Sequence, residues 1–197
     1  KDSDDPHVVG PSGPFRTGYS MLRPFVDRLP LRLYGGSEGV FSPNLLPEDV
    51  TRRIDRLDPA VVHLNWVGGS FLSPGSLADI DRPIVWRFPD MWPLTGGCHY
   101  ARDCEGYTES CGRCPELGSW IPWDLSRFTM SRKERAFPET DITVAAPSTW
   151  LAECARESTL FGDRRIEVIP NGLDIKTFRP WDRDLAREAE RQLSKYS

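Results

Sequence analysis

Short apolar runs and stretches of helical periodicity alternate along the chain. The apolar runs have the length and composition of strands that are buried on both faces of a parallel sheet. They are Pro59–Trp66, Pro83–Phe88, Asp141–Ala146 and Arg165–Ile169. Apolar side chains recur at helical spacing in Pro47–Leu57, Leu125–Phe137 and Ser148–Phe161. This alternation predicts an α/β fold in which helices flank a parallel sheet.

The first three predicted strands supply both the expected core and the edge that would carry a site. The core positions are predicted to be Val61, Val62, Leu64, Ile84, Val85, Ile142 and Val144. In parallel sheets, ligands bind in the loops that follow the carboxyl ends of the strands. The loops after these strands begin at Trp66, Pro89 and Pro147. We expect all three loops to meet at one edge of the sheet.

Both ends of the chain depart from a regular α/β pattern. Residues 1–46 contain one predicted short strand, Pro6–Gly10. They lack a strand, glycine-rich turn and helix in succession, the unit that opens many nucleotide-binding domains. After Asn171 the sequence runs into a charged helical stretch, Asp184–Lys195. We therefore expect a chain that is truncated at both ends.

Four of the five cysteines, Cys98, Cys104, Cys111 and Cys114, lie within a span of seventeen residues. The two-residue gap of the last pair lets two thiolates bind one ion, and tetrahedral zinc is the natural occupant. Metal binding would supply folding energy to a loop with few apolar residues. The alternatives are two disulfides or four free thiols. The lack of a signal peptide and of an Asn-x-Ser/Thr site favours zinc over disulfides, and Cys154 is a predicted core residue.

Composition limits the classes of function. The 197 residues are 39% hydrophobic and 27% charged, as in a soluble globular domain, and the net charge is −4. A nucleic-acid binder such as a zinc ribbon needs a concentrated basic face, so the negative charge argues against that class. The sequence has no apolar run long enough to span a membrane. We expect a cytoplasmic protein without a nucleic-acid partner.

Three strings of residues stand out in the second half of the chain: Asp-Met-Trp at 90–92, Thr-Gly-Gly-Cys-His-Tyr at 95–100 with the cysteines that follow, and Asn-Gly-Leu-Asp at 171–174. With these strings, the segment Trp86–Pro115 and the residues around Asn171 resemble bacterial family 4 glycosyltransferases. The resemblance covers roughly residues 55–182. Members of this family have the GT-B fold, in which two Rossmann-like domains face each other across a cleft. They transfer a sugar from a nucleotide-diphosphate sugar to an acceptor, with retention at the anomeric carbon.

The resemblance implies that this chain is the acceptor-side, N-terminal half of such an enzyme, active in polysaccharide synthesis. It assigns residues 1–180 to the Rossmann-like domain, 90–120 to a zinc loop inserted in it, and 181–197 to the start of the interdomain or C-terminal segment. The donor is gripped mostly by the second domain, through a carboxylate pair that this sequence lacks. The fragment alone is therefore expected to be inactive. The alternative is a non-catalytic, zinc-stabilised binding fragment.

The resemblance also assigns roles to residues near the strand ends. Asp90 is the candidate catalytic residue, because its carboxylate can accept hydrogen bonds from sugar hydroxyls. The candidate acceptor-binding residues are Asn65, Trp66, Trp92, Gly96, Gly97 and His99, and the candidates for the cleft that faces the donor are Asn171 and Gly172. Zinc would be a structural clamp, because four thiolates leave no open coordination position.

Two positions depart from the family pattern. Pro89 stands where members often carry a histidine, and proline has neither an imidazole nor a backbone N–H. Asn65 replaces a second histidine, and an amide cannot act as an acid or base. A basic stretch at residues 127–135 would meet anionic lipid headgroups at the inner membrane face if the acceptor is lipid-linked. A solvated helix face is the simpler interpretation, because the apolar stripe beside it is short.

Overall fold

The structure is a computed structural model that describes residues 5–11, 13–35, 39–180 and 182–193. Its centre is a parallel sheet with the strand order β1-β2-β3-β4. The strands are β1 (Val62–Leu64), β2 (Ile84–Arg87), β3 (Ile142–Ala146) and β4 (Arg165–Val168). In register, Ile84 pairs with Val62 on one side and with Ile142 on the other. The predicted α/β fold with a parallel, Rossmann-like sheet is confirmed.

The described part of the chain forms six α-helices. They are α1 (Pro14–Asp27), α2 (Val50–Leu57), α3 (Pro74–Ala78), α4 (Leu125–Ala136), α5 (Thr149–Glu157) and α6 (Arg183–Leu193). Three of them begin with a side-chain cap: Ser73, Asp124 and Ser148 each accept a hydrogen bond from the backbone N–H three residues further on. Short 3₁₀ turns lie at Leu29–Leu33, Gly106–Thr108 and Pro115–Leu117. Regular structure is therefore sparse between β2 and α4.

An aromatic cluster fills the core around β2. Trp86 is fully buried, and the ring centroids of Phe88, Phe137 and Phe161 lie 5.3, 5.8 and 6.1 Å from its own. All three contacts are edge-to-face, the geometry that the aromatic quadrupole favours. The predicted core positions on β1, β2 and β3 are buried, with two exceptions. Val61 is 51% exposed because it precedes the first residue of β1, and Val85 is only half-buried.

Two further expectations need correction, and one helix was not expected. β4 is an edge strand with mostly exposed side chains and is not buried on both faces. Residues 6–10 form no strand. The segment after them forms helix α1, which the sequence pattern did not indicate because Gly18 and Pro24 interrupt the helical composition.

Two buried polar side chains fasten the segment 41–46 to the loop after β1. Asn44 donates hydrogen bonds to the carbonyls of Val67 and Leu72 at 2.7 and 2.8 Å, and its amide oxygen accepts one from the backbone N–H of Ser70. Asp27, at the end of α1, accepts hydrogen bonds from the Ser70 hydroxyl and from the backbone of residues 45 and 46. The segment is therefore fixed where it passes the sheet edge.

Residues 183–193 form α6, whose described side chains are exposed. The predicted domain boundary falls at Trp181, which lies outside the described residues, as do residues 194–197. The division at residue 180 stays a prediction. Among the described helices, none has both the length and the apolar composition that crossing a bilayer would need.

Candidate functional site at the sheet edge

The carboxyl edge of the sheet brings together residues from distant parts of the sequence. Trp66 follows β1, Asp90 follows β2, and His99 lies in the cysteine loop. The indole Nε1 of Trp66 donates a hydrogen bond to Asp90 Oδ2 at 3.1 Å, and the same oxygen lies 2.7 Å from His99 Nδ1. The Trp66 and His99 rings stand 5.8 Å apart. The loops after β1 and β2 therefore do meet at this edge.

The network continues from His99 to Ser42, a residue that the sequence did not single out. Ser42 Oγ lies 2.8 Å from His99 Nε2 and accepts a hydrogen bond from the backbone N–H of Gly69 at 3.0 Å. An ionised carboxylate only accepts hydrogen bonds, so the proton between His99 and Asp90 sits on Nδ1. His99 Nε2 is then the acceptor for the Ser42 hydroxyl.

The order Ser42–His99–Asp90 matches the order of groups in a serine nucleophile triad, but the surroundings differ. Ser42 is only 1% exposed. The backbone N–H of Gly69 already points at its hydroxyl oxygen. A nucleophile must face the carbon that it attacks. The arrangement therefore holds the His99 ring and the Asp90 carboxylate in place rather than attacking a substrate.

Asp90 keeps hydrogen-bonding capacity toward solvent. Its Oδ2 accepts from Trp66 and His99, and its Oδ1 accepts from the backbone N–H of Trp92 at 2.8 Å. A carboxylate offers about four lone-pair positions, so one position on Oδ1 is left. The side chain is 21% exposed. Asp90 can thus accept one further hydrogen bond from a bound molecule.

Trp66 is an exposed aromatic side chain at this edge. It is 51% exposed and borders a groove of about 400 Å3 that runs from the loop after β1 to α1 and α2. The groove also contains Arg23, Glu48 and Asp49. Burial raises the pKa of the Glu48 carboxyl, and hydrogen bonds from Ser76 and Ser73 oppose that shift. An indole face beside charged and polar groups suits a sugar ring, which has both apolar and hydroxylated surfaces.

Arg87, at the end of β2, connects two predicted site residues. Its guanidinium donates to the side-chain oxygen of Asn65 at 2.8 Å and to that of Asn171 at 2.7 and 3.2 Å. Among the described residues, no carboxylate lies within 4.0 Å of this guanidinium. The two neutral amides therefore orient the guanidinium without neutralising its positive charge. Gly172, the other cleft candidate, is exposed and has open space around its Cα.

Three predicted acceptor-binding residues lie in the interior instead. Trp92 is 2% exposed, and its Nε1 donates to the carbonyl of Ser42, so its ring cannot cover a sugar. A Cβ at Gly96 would lie 2.3 Å from the carbonyl oxygen of Ser126, and one at Gly97 would lie 2.5 Å from the Phe41 ring. Both glycines are required by packing. They do not form an open wall of the site.

The predicted basic face of α4 is also corrected by the structure. Lys133 is fully buried, its Nζ donates to the carbonyls of Trp92 and Thr95, and it stands 3.5 Å from the centroid of the Trp92 ring. Burial lowers the pKa of the Lys133 ammonium to about 7. Arg132 donates to the Asn44 carbonyl. Lys133 thus hydrogen-bonds the cysteine loop and Arg132 the segment 41–46, so neither side chain is free to bind lipid headgroups.

The four clustered cysteines are unpaired thiols in the structure. All four line one small cavity behind the Thr95–Gly96 turn. Burial raises the pKa of Cys98 to about 12 and that of Cys111 to about 11. Within the described ranges, no three Cys, His, Asp or Glu side chains stand ready to share a metal ion. Cys154 is buried on α5, as predicted.

Comparison with known proteins finds a curated relative for part of this chain. No protein-family model matches this chain, and no solved structure matches it. A curated relative does match: it is 30% identical over 102 residues, which cover 49% of this chain and 25% of the relative. That relative is named as a glycosyl transferase of colanic acid biosynthesis, WcaC of Escherichia coli (strain K12). The match thus spans about a quarter of the relative's length.

Sequence reasoning missed Ser42 and Arg87. Ser42 lies in a segment without periodicity, and only the bridge between Phe41 and Cys98 brings it to His99. Nothing in the local sequence signals that contact. Arg87 stands at the end of a predicted strand, the position where site residues of parallel sheets occur. This position at a strand end could have identified Arg87 as a candidate site residue.

Proposed function

We propose that this chain is the acceptor-side half of a nucleotide-sugar-dependent glycosyltransferase that acts in polysaccharide synthesis. The observation that carries the proposal is the 30% identity to a glycosyl transferase of colanic acid biosynthesis. The parallel sheet, with its polar network at the carboxyl edge, supplies the architecture that such a half requires. We assign the protein to the retaining family 4 enzymes with the GT-B fold, in which a second domain binds most of the donor.

In this proposal, Asp90 and Trp66 hold the acceptor. The free position on Asp90 Oδ1 accepts a hydrogen bond from the acceptor hydroxyl, and the Trp66 ring covers an apolar sugar face. His99 and Ser42 orient the Asp90 carboxylate, because both ring nitrogens of His99 are already engaged. Holding the acceptor hydroxyl in place lowers the entropic part of the barrier.

We assign Arg87 to the cleft that faces the donor. Its guanidinium has five N–H groups, and the contacts to Asn65 and Asn171 use three of them. The remaining donors and the positive charge can stabilise the diphosphate that leaves as the sugar is transferred. Asn65 and Asn171 are positioning residues in this account.

The partners of the chain follow from this reaction. They are a nucleotide-diphosphate sugar, a glycan acceptor and a C-terminal donor-binding domain. We place the protein in the cytoplasm, with a lipid-linked acceptor at the inner membrane face. The exposed side chains of Trp120, Ile121 and Trp123 support such a contact, because indole rings with an apolar neighbour suit the boundary between water and lipid.

Saturation-transfer NMR with methyl glycosides tests the acceptor assignment. We expect a panel of methyl hexosides to receive saturation from the wild-type protein and to lose it in Trp66→Ala. Trp120→Ala is the control, because this tryptophan is 90% exposed and does not border the groove beside Trp66. Equal signals from the two variants, or no transfer to any glycoside, would refute the acceptor site.

A further inference from the structure

We propose that Cys98, Cys104, Cys111 and Cys114 bind one structural zinc ion. Cys98, Cys104 and the Cys111–Cys114 turn lie apart along the loop, yet all four side chains line the same cavity of about 20 Å3. A space of this size has room for about one ion or one water molecule. Four cysteine sulfurs around one such space match the ligand set of a closed, tetrahedral zinc site.

The backbone of the Cys111–Cys114 turn is held in an unusual conformation. Cys111, Gly112 and Arg113 have φ values of 54°, 102° and 46°, a region that non-glycine residues occupy only where their surroundings impose it. The backbone N–H of Gly112 donates to Ser126 Oγ at 3.0 Å, and that of Cys114 donates to Asp124 Oδ2 at 2.8 Å. The start of α4 thus fixes a two-residue turn that brings both thiols to the same cavity.

One of the sulfurs already receives a backbone hydrogen bond. The N–H of Gly96 donates to Cys111 Sγ at 3.2 Å. Backbone N–H groups around ligand sulfurs orient them and stabilise the thiolate form that binds metal. Free thiols, which are weak acceptors, gain little from such contacts.

The charge next to the cavity also fits a metal–thiolate centre. Lys133 is fully buried and interacts electrostatically with Cys111, Cys98 and Asp90. In the part of the chain that the structure describes, no carboxylate lies within 4.0 Å of its ammonium. A buried cation is costly unless a negative charge is near it. Zinc binding converts four thiols to thiolates and releases four protons to solvent, leaving a centre of net charge −2 beside Lys133.

An open cleft gives an ion access to the site. Its volume is about 560 Å3, and Cys98, Cys104 and Cys114 form part of its wall. The thiols do not stand as a ready-made ligand set, so the site closes as the ion draws the sulfurs to bonding distance, about 2.3 Å.

Zinc at this place would act on the candidate acceptor site. Cys98 precedes His99, and residues 97–99 pair with residues 40–42 through the bridge between Phe41 and Cys98. A metal that fixes Cys98 therefore fixes the pairing that brings Ser42 to His99. The zinc proposal does not depend on the glycosyltransferase assignment, because its test measures metal and not transfer.

Elemental analysis of protein purified under reducing conditions tests the proposal. We expect one zinc per chain in the wild type, and the same content in Cys154→Ser, whose cysteine is buried on α5 away from the cavity. Cys111→Ser and Cys114→Ser should lose most of the metal. Replacing zinc by Co²⁺ in the wild type should give the strong visible bands of tetrahedral cobalt and a sulfur-to-cobalt charge-transfer band.

The cobalt spectrum keeps the test decisive if the serine variants do not fold, because it needs only the wild type. A metal-free protein whose four thiols react freely would overturn the proposal. So would an intact mass that shows disulfides among the four cysteines in freshly prepared protein. Equal zinc loss in Cys154→Ser and Cys111→Ser would also contradict the assigned ligand set.

Discussion

At the scale of single residues, the proposed function depends most on Asp90. The intact protein should lose acceptor affinity in Asp90→Asn, because the neutral amide oxygen cannot accept a charge-assisted hydrogen bond from the acceptor hydroxyl. Such bonds contribute about 1.5–3 kcal/mol, which corresponds to a rise in acceptor KM of roughly 10- to 100-fold. Steady-state kinetics at saturating donor measure this change. Asp81→Asn is the control, since Asp81 is exposed and lies before β2.

Arg87 should affect the other half of the reaction. Both Arg87→Lys and Arg87→Gln should lower kcat by about 100-fold while the acceptor KM changes little, because Arg87 is assigned to the leaving diphosphate. The lysine variant should not keep the activity, because an ammonium lacks the planar guanidinium geometry that hydrogen-bonds both Asn65 and Asn171. The matched control is Arg165→Lys, at an exposed ion pair with Glu167. A change confined to the acceptor KM would count against the assignment.

The roles of individual residues could be predicted only in part. Asp90, Trp66 and His99 were identified because they follow strands or lie in the cysteine loop, and the structure brings them together. Trp92 was assigned to sugar binding on the same grounds, yet it is buried, because residue type does not tell which of two nearby tryptophans packs inward. Ser42 reaches His99 only through a long-range bridge, which local patterns do not encode.

At the scale of elements, close packing between the cysteine loop and α4 supports the site. Gly96→Ala should destabilise the protein by about 1–3 kcal/mol or more, because its Cβ would lie 2.3 Å from the Ser126 carbonyl oxygen. Gly75→Ala, in α3, should be neutral or stabilise by about 0.5–1 kcal/mol, since nothing lies within 4 Å of its added Cβ.

Thermal or urea unfolding of these two glycine variants measures the difference. Equal unfolding midpoints for Gly96→Ala and Gly75→Ala would show that the loop does not pack on α4 as described.

The sheet was the most predictable element. Apolar runs between turn residues located all four strands, although the observed strands are shorter than the runs. The exposure of β4 could not be predicted, since Ile166 and Val168 give an apolar pattern whether or not a partner covers them. Helix α1 was not predicted because it contains Pro14, Gly18 and Pro24. In a prediction from local sequence, proline and glycine indicate turns and loops rather than a helix.

At the scale of the whole molecule, the region after β3 has the character expected of a junction. β4 is open on its outer edge, and apolar side chains remain exposed along the segment that follows it. They are Val168, Ile169, Leu173, Ile175 and Phe178. Such a surface is unusual on an isolated domain and is typical of an interface. This supports the proposal that a donor-binding domain follows, with Asn171 in the cleft between the two halves.

The most direct test of the account is a transfer assay on the intact protein. Release of nucleoside diphosphate from UDP- and GDP-sugars would be measured with octyl glycosides as acceptors, for the wild type and for Asp90→Asn. We predict release that depends on the acceptor, and a variant that still binds donor but needs far more acceptor. Absence of release for every donor and acceptor pair would contradict the proposed glycosyltransferase function, and so would an Asp90→Asn variant with the acceptor dependence of the wild type.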